Sequence, residues 1–282
     1  MRQLAEHLPI RYVNESATPC RSQVKITEAG DEITLSIAEL GTLAVNAAGA
    51  LSSAPDSSHH ERLAHAAADW AWGQWLAFGG TYAFHGATVT RDGYTLALVG
   101  APRAGTSLTA LALCRRGWAL VADGVCPLAV ESGKRVIALA GTGALQVDRA
   151  VTAAFPPPEI YTDARTPRPR SNIEVEAAGA HTVDRIVSLV PSTVRRGGVI
   201  VPGNFEGGDP TLSLAAASVC GEGIRSRNSE LNEDLLATCA KVTALVPFDV
   251  ALVPAGSSTL MFSPRQIATL ITDHLAAVIA DA

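Results

Sequence analysis

The chain has 282 residues, 48% of them apolar and 17% charged, with a formal net charge of −5. That is enough apolar material for one large domain or two small ones, and the mild acidity argues against nucleic acid as a partner. No apolar run reaches the roughly 18 residues needed to cross a bilayer. The opening MRQLAEHLPIRY lacks the apolar stretch of a signal peptide. A cytoplasmic protein without membrane contact is therefore expected. The cysteines Cys20, Cys114, Cys126, Cys220 and Cys239 are odd in number and widely spaced, without metal-ligand spacing. They read as free thiols in a reducing compartment.

In chain order, residues 1–57 form a small β-rich N-terminal segment and 58–282 a larger α/β core. Glu32–Ile37 alternates as a strand does, and Thr42–Val45 is its partner across a turn near Gly41. Ser52–Ser58 reads as a polar linker. A helix follows from about Ser58 to Phe78, ended by Gly79-Gly80, with Leu63, Ala67, Trp70, Ala71, Trp75 and Phe78 on one face. Those aromatics read as core packing. His59, His60 and His65 have no acidic or thiol partner at ligand spacing, so a solvated helix start describes them better than a metal site.

Thr81–Phe84 and Ala87–Val89 are short β-prone pieces on either side of His85-Gly86, and Arg91-Asp92-Gly93 is a turn. The stretch from Thr95 to Asp123 then runs strand, glycine loop, helix, strand. Leu96–Val99 is apolar and of strand length. Gly100-Ala101-Pro102-Arg103-Ala104-Gly105 has glycine at both ends. Ser107–Arg116 is helical, with Gly117 as its stop, and Trp118–Val121 is a second buried strand ending in Asp123. Unpaired N–H groups at the start of a helix favour an anion. The phosphate-loop pattern G-x-x-x-x-G-K-[ST] is met at Gly100, Gly105 and Ser107, but Thr106 stands where lysine belongs. Without its lysine the loop also reads as an ordinary strand-to-helix turn. Asp123 suits a metal ligand or a base beside such a loop, or is simply the first half of an Asp123-Gly124 turn.

Pro127–Val130 and Arg135–Leu139 read as a hairpin through Ser132-Gly133. Ala154–Arg170, rich in proline, has no periodicity and reads as a loop. Its Arg165, Arg168 and Arg170 either reach an anionic ligand or are solvated. Asp184–Val190 is a strand, and Arg195–Gly198 the next turn. Thr211–Ala217 and Glu230–Leu245 are helices, and Val250–Val253 is a last strand. Ser263-Pro264-Arg265-Gln266 carries the cap signals of a final helix. Strands alternating with helices after Thr81 indicate an α/β core.

The order of His85-Gly86-Ala87-Thr88-Val89, the glycine loop, Arg116-Gly117-Trp118 and Leu120-Val121-Ala122-Asp123 resembles the HPr kinase/phosphorylase family, whose relatives include kinases of lasso peptide precursors. The resemblance spans roughly residues 60–282 and is strongest over 82–125. It implies an HPr kinase/PEP carboxykinase-like P-loop core with the small β-rich part before it. It implies that Gly100, Arg103, Ala104, Gly105, Thr106 and Ser107 bind ATP. Ser107 and Asp123 would hold Mg2+, and Asp123 and His85 would be catalytic. Two positions depart from the family pattern. Thr106 replaces the lysine, with Arg103 as a substitute cation, and Gly124 replaces a second aspartate. The family's HPr-recognition segment has no clear counterpart beyond Gly141-Thr142-Gly143. The expectation is an atypical ATP-dependent kinase acting on a hydroxyl of a peptide or small molecule, in a natural-product setting. The alternative is an inactive relative that binds a nucleotide, phosphate compound or peptide as a scaffold. A homo-oligomer is compatible with either.

Overall fold

The structure is a computed structural model. It describes residues 10–14, 24–30, 32–37, 40–102, 104–141, 144–148, 161–163, 170–174, 179–192, 199–202, 209–219, 229–254, 269 and 271–274. The chain divides into two compact units, Met1–Ala83 and Phe84–Ala282.

The first unit has a five-stranded sheet in the order β1-β5-β4-β3-β2. Its strands are β1 (Ile10–Asn14), β2 (Val24–Ala29), β3 (Glu32–Ile37), β4 (Gly41–Asn46) and β5 (Gly49–Ala54). β2 to β5 are antiparallel neighbours, and β1 lies parallel to β5. Strand alternation sends Leu35, Leu43 and Val45 to one face, where helix α1 (Ser57–Phe78) covers them. The expected stripe of Leu63, Ala67, Trp70, Ala71, Trp75 and Phe78 makes that contact. The helix therefore belongs with the sheet, and the division falls after Ala83, where the sequence placed it at 57/58.

Two sequence expectations change here. Ser52–Ser58 is not a linker, because β5 runs through Ala54 and α1 begins at Ser57. Asp56 caps that helix, accepting from the His59 N–H at 3.0 Å. His60 is not solvated either. It is buried and shares a hydrogen bond of 2.8 Å between its Nδ1 and the Oγ of fully buried Ser52. Polar residues can enter an interior when they satisfy one another, which composition alone does not reveal.

The second unit contains an eight-stranded mixed sheet, ordered β13-β9-β8-β6-β7-β14-β16-β15. In chain order, the central elements are β6 (Tyr82–Arg91), β7 (Tyr94–Gly100), α2 (Thr106–Cys114), β8 (Ala119–Glu131) and β9 (Arg135–Ala138). A small three-stranded sheet comprises β10 (Ala144–Asp148), β11 (Tyr161–Asp163) and β12 (Arg170–Glu174). The chain then supplies β13 (His181–Thr182), β14 (Arg185–Ser192), β15 (Val199–Pro202), α3 (Pro210–Ala216), α4 (Ser229–Leu245) and β16 (Phe248–Pro254). This is a mixed α/β architecture.

The expected strands, helices and hairpin of this unit are present. Most of the 154–170 stretch, the 195–198 turn and the helix start at 263–266 lie outside the described residues, although Tyr161–Asp163 is a strand. β6 is one continuous strand, not two pieces around His85-Gly86. Gly86 keeps it whole, because a Cβ there would overlap the carbonyl oxygen of Leu98 on β7. The glycine permits close backbone approach and does not break the strand. β8 likewise runs on through Asp123-Gly124. Gly124 sits within it at φ +79°, a conformation in which a side chain would be strained.

On one face, Leu96 and Leu98 of β7, Val187 and Leu189 of β14, and Ala251 and Val253 of β16 pack with Ala110–Leu113 of α2. A helix of nine residues does not persist in water by itself. Burying Leu113 completely contributes about 2 kcal/mol, so packing holds α2 in place.

Candidate functional site

β7, β14 and β16 run parallel, with Gly100 opposite Leu189 and Leu189 opposite Ala251. Their carboxyl ends therefore share one edge of the sheet, the edge at which open α/β sheets take ligands. The glycine loop leaves β7 there. Gly100 is buried because a Cβ would stand 2.8 Å from the Leu189 carbonyl oxygen and 2.9 Å from the Ala104 Cβ. The loop turns back on itself, with the Ala104 N–H donating to the Ala101 carbonyl at 2.9 Å. Gly105 has φ +96° and caps α2 without a side-chain hydrogen bond, and the space its Cβ would occupy is open. Its conformation needs glycine, and its open side admits a ligand against the backbone.

Thr106 and Ser107 open α2 and are half-buried. Thr109, one turn on, donates its hydroxyl to the Gly105 carbonyl at 3.0 Å, bracing the loop's exit. Arg103 lies outside the described residues.

His85 precedes Gly86 on β6, and Gly86 pairs with Val99, the residue before Gly100. It is half-buried, and its N–H donates to the Ala217 carbonyl at 2.7 Å, so the turn after α3 fixes this end of β6. Asp123 is on β8, the strand on the other side of β6 from the loop's strand. It is half-buried and lies in the strand interior, neither at a strand end nor in a turn. The Gly141 N–H donates to the Val121 carbonyl at 2.7 Å, and a Cβ on Gly141 would meet Ala122 Cα at 3.0 Å. The segment after β9 thus passes directly alongside Asp123.

The Asp123 charge also reaches α2. Burial, and secondarily this carboxylate, push the Cys114 thiol at the helix end up to about 12. Cys126 is also pushed up to about 12, by burial first and by Asp123 as a smaller contribution. Its bond with the Thr88 hydroxyl at 2.6 Å works the other way. A thiol pushed up in this way is a poor nucleophile at neutral pH, so neither Cys114 nor Cys126 is suited to that role.

The structure thus has Ala104 to Ser107 at the turn into α2, and His85 one residue before the Gly86–Val99 pair on β6. Asp123 is related to them through the intervening strand β6. Sequence reasoning missed a second polar cluster at the opposite ends of the same strands. Asp249 is buried, and its Oδ2 accepts from Arg185 Nη1 at 2.6 Å and His274 Nε2 at 2.9 Å. Arg185 Nε also donates to the Tyr94 hydroxyl at 3.2 Å, and the Thr95 N–H donates to Asp184 at 2.7 Å. Burial pushes the Tyr94 phenol up, with Arg185 opposing. A single acid inside the apolar run Phe248–Pro254 was the available signal.

No protein-family model and no curated protein matches the chain. Among solved structures, the HPr(Ser) kinase/phosphatase from Coxiella burnetii matches with a TM-score of 0.39 and 15% identity, covering 70% of this chain and 93% of that one. This is a distant structural relationship. Among the described residues, no helix is long and apolar enough to cross a membrane.

Proposed function

We propose that the protein is an atypical ATP-dependent kinase that phosphorylates a hydroxyl, on a peptide serine or a small metabolite. The observation that carries this reading is the glycine loop. It leaves β7 at the shared carboxyl edge and opens α2 with free space where a Gly105 Cβ would lie, and His85 is one residue from the Gly86–Val99 pair. Phosphoryl transfer needs mainly positioning and charge neutralisation, and the proposed roles follow from that. Backbone N–H groups from Gly100 to Gly105 receive phosphate oxygens. Arg103 supplies the cation that Thr106 does not. His85 stands beside the transferred group, and Asp123 orients or deprotonates the attacking hydroxyl. ATP would supply the phosphoryl group and Mg2+ would offset its charge. No group of three or more His, Cys, Asp or Glu side chains suited to a metal occurs among the described residues. In this reading Ser107 and Asp123 would hold the ion together with phosphate and water, a sparse protein shell that suits magnesium.

Thr106 and Gly124 favour a second reading, a scaffold that binds a nucleotide, phosphate compound or peptide without turnover. Calorimetry of the purified protein with a non-hydrolysable ATP analogue and magnesium separates the two. The kinase reading expects binding below millimolar, followed by phosphate transfer to a hydroxyl acceptor when ATP is used. No heat at millimolar analogue would overturn it, and binding without transfer to any acceptor would leave the scaffold.

A further inference from the structure

We propose that the carboxyl-terminal turn at residues 271–274 is a strap whose docking sets how firmly α2, and with it the glycine loop, is held on the sheet. Ile271 is fully buried in the cluster that contains Ala110–Leu113 of α2 and Val253 of β16. Polar contacts flank that anchor. On one side, Arg116, just after α2, donates from Nη2 to the Thr269 hydroxyl at 2.5 Å and from Nη1 to the Thr272 hydroxyl at 3.4 Å. The Arg116 carbonyl accepts from Arg91 Nη1 at 3.1 Å, which ties the same point to the end of β6. On the other side, His274 shares the buried Asp249 carboxylate with Arg185. The strap therefore bridges the foot of α2 and the amino ends of β16 and β14.

The far end of α2 is the loop, and Gly105 gives it no side-chain cap. A short helix without a cap depends on what packs along it and at its foot. Among the described residues of the strap, one apolar side chain anchors it and the rest are half-buried or exposed. Thr269 and Asp273 are exposed, and only Ile271 among its described residues is buried. Segments of this kind open locally without global unfolding. Docking of the strap and ordering of α2 are then linked equilibria, so whatever displaces one weakens the other. The linkage holds whether or not the loop takes a nucleotide.

Hydrogen exchange of the full chain, read by mass spectrometry, tests it. In the double variant Thr272→Val/His274→Ala, amides at 271–274 and at 106–116 should both exchange at least about tenfold faster, while those at 32–54 in the first unit keep their wild-type rates. His274→Gln retains an N–H for Asp249 and should bring both segments back towards wild type. Faster exchange at 271–274 with α2 unchanged would overturn the proposal, as would wild-type exchange at 271–274. If the double variant loses its fold, Thr272→Val alone decides: a rise of about threefold must appear in both segments together, and a rise in only one overturns the linkage.

Discussion

The two ends of the central strands are built on opposite principles. At the amino ends, charge is buried and matched: Asp249 accepts from Arg185 and His274, and Arg185 also donates to Tyr94. At the carboxyl ends the chain relies on glycine and backbone. Gly100 permits close approach to Leu189, Gly105 takes a left-handed conformation over open space, and the first turn of α2 has no side-chain cap. One end spends its polar groups on holding strands together. The other leaves N–H groups at a helix start, where an external anion can be received. The difference suits the amino ends to stability and, under the proposed function, the carboxyl ends to binding, and it can be broken by substitution.

The largest effect is expected at the amino ends. Asp249→Ala strands Arg185 in a largely buried position without its carboxylate and removes the acceptor of His274. Breaking a buried pair by deleting one partner costs about 3–5 kcal/mol, which urea unfolding would measure. A loss below about 1 kcal/mol would mean the cluster is effectively solvated and the contrast between the two ends is wrong.

Next comes the carboxyl end. Under the kinase reading, Asp123→Asn should leave the urea midpoint close to wild type while reducing turnover at least about a hundredfold, the scale of a lost acid–base group. His85→Ala should likewise act on rate more than on stability. If either variant unfolds the protein while retaining activity per folded molecule, the residue is structural and the assignment fails.

How much of this contrast could be read in advance depended on what each end is made of. The carboxyl end was legible because its signals are local in sequence. Glycine at 100 and 105, the apolar run before them and Gly117 after them mark strand, loop and helix, and β7 and α2 lie there. The α1 stripe was legible for the same reason, since a helical period needs only one segment. The amino-end cluster was not, because Arg185, Asp249 and His274 are far apart in the chain and meet only through the parallel pairing of β14 with β16 and the approach of His274 to Asp249. The continuity of β6 and β8 was also hidden. Glycine and Asp-Gly are turn signals in isolation, and only the close approach of Gly86 to Leu98 and the positive φ of Gly124 within β8 show how these strands run on. The extent of β5 and the burial of His60 were hidden behind polar residues that satisfy each other across eight positions.

A smaller effect is expected where lysine is missing. If Arg103 serves as the cation, Arg103→Ala should weaken binding of the ATP analogue by about 1.5–3 kcal/mol, roughly ten- to a hundredfold. Thr106→Lys on that background should recover part of the loss, because residue 106 is the first of α2, where the kinase reading puts the phosphates. Should Arg103→Ala change affinity less than about twofold, and Thr106→Lys alone improve it sharply, the natural loop is a degenerate one and the scaffold reading gains.

The smallest effect would show how far the Asp123 charge reaches. Burial pushes the thiols of Cys114, Cys126 and Cys239 up to about 12 from an ordinary 9.0. A raised folded value means the unfolded chain releases these protons first. Their contribution is therefore fully present below about pH 9 and is lost as pH rises towards 12, by about 1.4 kcal/mol per unit and per thiol. That part of the pH dependence should be common to all three. Cys114 and Cys126 also feel Asp123, whereas burial is the whole cause at Cys239. Asp123→Asn removes the negative charge that disfavours their thiolates. The Cys114 value should then fall, while Cys239 should stay where it was. Alkylation rates read peptide by peptide at a fixed pH near 9 would register this as a faster reaction at Cys114 alone of that pair. Equal changes at Cys114 and Cys239 would indicate general loosening of the fold. No change at either would mean that the Asp123 carboxylate is directed away from α2, and the site would then lose the geometric tie between its acid and the helix that carries the loop.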